Sequence, residues 1–386
     1  MGTTAISTVF DAYINVNILL IFLLALWLAS RGLMRLLGLS HAYTAQLHLM
    51  HAILLTIVIS PFIVPAISAL IQTWVLPQNV SMNLGDFVVS QYLQGSFAMK
   101  ASMLEQVLTF RTQVTSDVVE LNTQFGVAIA AFALAGLLFF SARLMISVFK
   151  LYRVIGASYT WRKIGNLHLC LSDTTTVPFS TRTFGKRYVV IPSAMLTNPQ
   201  DLRIALGHEF QHLRQFDVEW EIGMEVLKPL FFWNPAYYLW KQQIDRLREL
   251  SCDQQVLARK GFDVAAYCEC LLRVCHNSLT KNRLFSVEVP KVALVNIGGR
   301  ISGRRSAAFL RRRLLSLIEG GTKGPTKTAF ACLLVPLITV AIVSSVAIHK
   351  GDDWSHDRIM LSTIVNLERL EVHNNLDAGP DLRPVQ

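Results

Sequence analysis

The sequence predicts a mainly α-helical integral membrane protein, with four transmembrane helices and an α+β domain on the inner side. Three observations carry this reading. Hydrophobic residues make up 52% of the 386 and charged residues 16%, with a mean hydropathy of +0.40. Soluble domains carry about 25% charged residues, so an ordinary soluble enzyme is disfavoured, and a disordered chain is too apolar to consider. Four apolar segments match the length of a bilayer crossing, and the formal charge of +10 is unevenly distributed between them.

The predicted spans are 14–30, 47–71, 125–149 and 329–348. Each approaches the roughly 20 residues a crossing needs and is apolar on every face, unlike a surface helix. Asp11, with nothing basic before the first span, argues against a cleaved signal peptide. Pro61 and Pro65 in the second span are tolerable where neighbours satisfy the freed carbonyls. His48 and His51, near its start, read as interfacial histidines without a role.

Charge sets the orientation. The connection 31–46 carries Arg31 and Arg35 and no acid, whereas loop 77–124 has two bases and four acids. Segment 150–327 has 27 bases and 14 acids, and the tail 350–386 has four and seven. The positive-inside rule places the N-terminus, loop 77–124 and the tail outside, and 150–327 inside. Arg143 at the inner end of the third span can snorkel. No cysteine falls in an outside segment, so structural disulfides are not expected. Cys268, Cys270 and Cys275 lack paired metal-ligand spacing and read as small core residues.

The inside domain opens with strands at 167–173 and 186–192, turns helical after Pro192, and ends in a linker at 319–328. Asn198 and Pro199 offer a helix start for a segment containing His208-Glu209-Phe210-Gln211-His212. This HExxH motif puts two histidines on one helical face, able to bind one Zn2+ ion. Glu209 stands where it can take a proton from water activated by that metal. Catalytic zinc takes a third protein ligand. Asn234-Pro235 opens a second helix, on which Glu249 and Asp253 share a face. Either Glu249 is the third ligand and Asp253 hydrogen-bonds a ligand histidine, or both acids pair with Arg246 and Arg248 on a solvated face.

HEFQHLRQFD, FFWNPAYYLW, RLRELSCDQQVLA and the preceding VPFSTRTFGKRYVVIPSAML resemble the BlaR/MecR-type antirepressor metallopeptidases over roughly residues 150–275. The resemblance implies a cytoplasmic gluzincin-type domain in a bacterial inner membrane. It implies His208, His212 and Glu249 as zinc ligands, Glu209 as general base and Asp253 behind a ligand. It also implies a regulatory substrate such as a cytosolic transcriptional repressor, and self-processing, which the stretch 296–313 would accommodate. The best-known members carry an outside penicillin-binding sensor domain, for which the 37 residues 350–386 are too few. Ser147–Lys150 and Ser278–Lys281 match SxxK by spelling only, so direct β-lactam acylation is not supported. Loop 77–124 is then the expected contact for an outside partner.

The expected function is zinc-dependent peptide cleavage at the cytoplasmic side. The alternatives are a CAAX-prenyl-protease or heat-shock-type quality-control peptidase and, from another class, a non-catalytic signalling scaffold. Six aromatics between Phe231 and Trp240 suit a membrane interface near the zinc. A substrate would lie extended along KRYVVIP, taken as an exposed sheet edge. The basic run Arg300, Arg304, Arg305, Arg311, Arg312, Arg313 reads as contact with the lipid bilayer, not with nucleic acid. Oligomeric state is not legible.

Overall fold

The structure, a computed structural model, describes residues 2–36, 40–74, 84–96, 99–183, 185–259, 262–281, 292–293, 303–318, 327–348 and 356–377. Most of the linker expected at 319–328 and the start of the stretch 296–313 lie outside them. Among the described residues, three helices are long and apolar enough to cross a membrane: α1 (Gly2–Leu36), α2 (Tyr43–Trp74) and α5 (Gln124–Gly156). Each extends beyond its predicted span. The fourth expected span falls within α11 (Lys327–Ile348). The chain divides into two compact units, one of Met1–Ala25, Ala52–Ala133 and Cys332–Gln386, the other of Leu26–His51 and Leu134–Ala331.

In the first unit, α3 (Leu84–Leu93), α4 (Ala101–Glu120) and α12 (His356–Asp377) share a core of Val89, Ala101, Leu104, Leu361 and Val365. Lys100, at the start of α4, has no side-chain acceptor for the first amides. Glu368 of α12 supplies it, accepting from the Ala101 and Ser102 amides at 3.1 and 3.2 Å. Arg111 of α4 donates to the Asp11 carboxylate at 2.9 Å and to the Ile348 carbonyl at 3.3 Å. The tail is therefore a structural partner of loop 77–124.

The second unit holds a mixed sheet in the order β1 (Tyr159–Ile164), β2 (Leu167–Ser172), β4 (Lys186–Pro192), β3 (Phe179–Thr183), β5 (Val292–Ala293). β2 and β4 run parallel, and the other pairs are antiparallel. This corrects the expected substrate edge. KRYVVIP is β4, bonded on both sides and buried along its second half, because Val189, Val190 and Ile191 are the strongest core formers in the sheet. β3 lies between β4, which it pairs along its length, and the two-residue β5, which it meets at Phe179 and Ser180.

Helix α6 (Pro199–Arg214) separates two cores. Leu213 packs with Leu169, Val189, Ile191 and Val218 against the sheet. Ile204 packs with Cys252, Val256, Tyr267, Cys270, Leu271, Val274 and Leu317 against α8 (Pro235–Leu257), α9 (Val264–Lys281) and α10 (Gly303–Ile318). Cys268, Cys270 and Cys275 are free thiols, and Cys268 and Cys270 are core members as expected. The first turn of α2 is tied to α8, with Thr44 Oγ1 2.8 Å from Ser251 Oγ and 3.1 Å from Gln255 Nε2. His51 is buried, its ring stacked 4.0 Å from that of Trp220 in α7 (Asp217–Leu227).

Leu361→Ala should cost the first unit about 2–5 kcal/mol and speed amide exchange in α4 as well as in α12. The check is hydrogen exchange by mass spectrometry; unchanged α4 protection would mean the tail does not support the loop.

Candidate metal centre

Two capped helix starts fix the register of the site. Asn198 accepts from the Gln200 and Asp201 amides at 3.1 and 3.3 Å, with Pro199 in the first turn of α6. Asn234 accepts from Ala236 at 3.0 Å, with Pro235 opening α8. One turn apart on α6, His208 and His212 are fully buried with their Nε2 atoms 2.9 Å apart. Glu249 of α8 brings Oε2 to 3.6 Å from His208 Nε2 and Oε1 to 3.8 Å from His212 Nε2. Glu209 is fully buried on the same turn as His208.

The outer nitrogens decide the tautomers. Tyr267 donates its only hydroxyl proton to Asp253 Oδ1 at 2.8 Å, so at 2.8 Å from His208 Nδ1 it can only accept. His208 therefore carries its proton on Nδ1 and points a lone pair inward from Nε2. His212 Nδ1 lies 2.7 Å from Asp217 Oδ2, and a carboxylate there selects the same tautomer. Burial, then the neighbouring His208, holds His212 well below the usual imidazole pKa, so its ring is neutral. Two lone pairs facing each other at this distance repel unless a cation lies between them. The donor set thus fits a divalent metal.

His208, His212 and Cys252 each offer a ligand atom within 4.8 Å of the others. Cys252, however, stands on the outer side of His208, with Sγ 3.5 Å from Nδ1. Burial and the adjacent Asp253 push its thiol well above the usual range, and a protonated thiol is a poor ligand. Glu249 is the opposite case. Burial favours its neutral acid, but the Arg313 guanidinium outweighs that and holds its carboxyl below the usual range.

Each sequence-predicted site residue lies in this cluster. Asp253 does not bond a histidine directly: it is 3.5 Å from His208 Nδ1 and acts through Tyr267. Arg248 is turned away from the site acids, pairing with Glu221 at 2.8 Å and Asp245 at 3.1 Å. Three residues escaped sequence reasoning. Asp217 follows Phe216, a non-glycine residue at φ 61° that reverses the chain so its neighbour reaches His212. Tyr267 has no spacing signal relative to the motif. Arg313 was hidden in the basic run read as lipid contact, and this needs correcting: Arg311 and Arg312 are exposed, whereas Arg313 is buried against Asp253 and Glu249.

The family model described as BlaR1 peptidase M56 matches residues 9–302, more than half of the chain. No curated protein matches it.

Asp217→Asn and Tyr267→Phe should each weaken metal binding about 10- to 100-fold, as expected when the partner orienting a ligand is lost. Glu221→Gln breaks a buried ion pair elsewhere in the unit. It should cost about 3–5 kcal/mol of stability and leave metal affinity near that of the unaltered chain. Chelator competition and thermal unfolding of all three variants separate the two effects.

Proposed function

The chain belongs to the BlaR1 peptidase M56 family, and on that footing we propose that it is a zinc endopeptidase whose active site faces the cytoplasm. One observation carries the reading: two buried imidazoles one helical turn apart bring their Nε2 atoms to one point, beside the Glu249 carboxylate. In this reading His208, His212 and Glu249 hold the metal. Bound there, zinc would supply a Lewis acid that polarises a peptide carbonyl and makes water acidic. Glu209 takes the proton from the attacking water and passes it to the amide nitrogen as the C–N bond breaks. Asp217 and Tyr267 hold the two rings in the orientation this requires.

The substrate strand belongs on β3, beside α6, in the place that the short β5 takes. The chain's own segment Val292–Ala293 already pairs there, opposite Phe179 and Ser180, which supports strand addition as the binding mode. It also supports self-processing within or near 296–313, as the resemblance implies. The favoured external substrate is a regulatory protein such as a cytosolic repressor.

The proposed topology has four spans, with α11 as the fourth. Within the first unit, Arg111, expected outside, bonds both Asp11, also expected outside, and Ile348, the expected outer end of the fourth span. Within the second, Thr44 of the expected inside loop bonds Ser251 of α8. Leu230, Trp233, Tyr238 and Leu239 are exposed apolar or aromatic side chains, supporting a membrane-interface position for the aromatic run. Gly136 of α5 meets this run: a Cβ there would lie 2.0 Å from the Phe232 ring. The domain boundaries proposed are 1–149, 150–327, 329–348 and 350–386.

Glu209→Ala should retain one zinc per chain and abolish cleavage of a generic unfolded substrate. His208→Ala, His212→Ala and Glu249→Ala should each lose zinc itself. The comparison requires zinc content and cleavage for the four variants in one detergent; full zinc with near-normal cleavage in Glu249→Ala would reassign the third ligand.

A further inference from the structure

Arg313 sits on α10, beyond the segment that the family model matches. Its side chain is 3% exposed, and all three guanidinium nitrogens are used. Nε lies 2.7 Å from Asp253 Oδ2 and Nη2 2.7 Å from Asp253 Oδ1, a two-pronged bond, while Nη1 lies 3.1 Å from Glu249 Oε2. Its planar fork therefore joins two acids one turn apart on α8.

Those acids lead to the metal centre by separate routes. Glu249 approaches both histidine Nε2 atoms directly. Asp253 accepts from Tyr267, whose hydroxyl then accepts from His208 Nδ1. Leu317, one turn further along α10, packs in the core formed with Ile204, Cys252 and Tyr267. It seats the helix through apolar packing.

Resting on the zinc-site reading above, we propose that Arg313 is a positioning residue for the metal. One nitrogen fixes Glu249 so that its other oxygen is presented to the metal, and the remaining two fix the Asp253–Tyr267–His208 chain. A helix following the matched family segment would thereby complete the metal centre.

The test uses the full chain in detergent, with Arg313→Met to retain bulk, Arg313→Lys to retain charge, Leu317→Ala as a packing control and His208→Ala as a ligand control. Zinc dissociation constants come from chelator competition, and ligand geometry from the visible spectrum of the cobalt-loaded protein. Arg313→Met should weaken zinc binding about 10- to 100-fold and alter the cobalt bands. Arg313→Lys should recover only part of the affinity, because an ammonium cannot make the two-pronged bond and the third contact together. Leu317→Ala should lower the melting temperature with zinc affinity within threefold of the unaltered chain. Unchanged affinity and spectrum in Arg313→Met, with zinc lost in His208→Ala, would overturn the role of Arg313 alone. Equal zinc loss in Leu317→Ala would reduce Arg313 to helix docking and also overturn it. Zinc retained by His208→Ala would instead overturn the metal-site reading beneath it.

Discussion

Two imidazoles and four carboxylates, those of Glu209, Asp217, Glu249 and Asp253, are buried within a few turns of helix. Burying charge without partners costs several kcal/mol per group, and this constraint governs how the second unit is built. Arg313 offsets Glu249 and Asp253, Tyr267 links Asp253 to His208, and Asp217 meets His212. The partners come from α7, α9 and α10, so the metal centre draws on almost every helix of its unit. Arg248, Glu221, Lys241 and Asp245 form a second buried ion cluster behind α8. Removing any helix would leave a buried charge exposed to an apolar core, which explains why the site and the fold of this unit are inseparable.

The two apolar cores on either side of α6 give this cluster its rigidity. The sheet side fixes the helix through Leu213, and the other side fixes it through Ile204. Between them the histidines have no room to leave their rotamers. The caps at Asn198 and Asn234 set where each helix begins, and hence which side chains reach the centre.

The parts legible in sequence were those with a periodic or local signal. The three long apolar helices, both capped helix starts, the strands at 167–172 and 186–192, and the HExxH face all follow from spacing over a few residues. The parts missed were long-range. Whether β4 sits at an edge or in the middle depends on strands distant in sequence. Its run of Tyr188, Val189, Val190 and Ile191 could have been read as a central strand, since such uninterrupted apolar runs are buried on both faces. Arg313 looked like its exposed neighbours Arg311 and Arg312, and only the packing of Leu317 turns it inward. Tyr267 carries no motif at all. No local spacing ties the tail to the loop, yet Leu361 and Val365 complete the core of α3 and α4.

The central claim is that the metal is held by two imidazoles and the Glu249 carboxylate, with Cys252 left as a thiol. X-ray absorption at the zinc edge of the purified chain addresses it directly. The account predicts only nitrogen and oxygen donors, at about 2.0–2.2 Å, with the scattering pattern of two imidazole rings. A sulfur shell near about 2.3 Å would put Cys252 on the metal and contradict it.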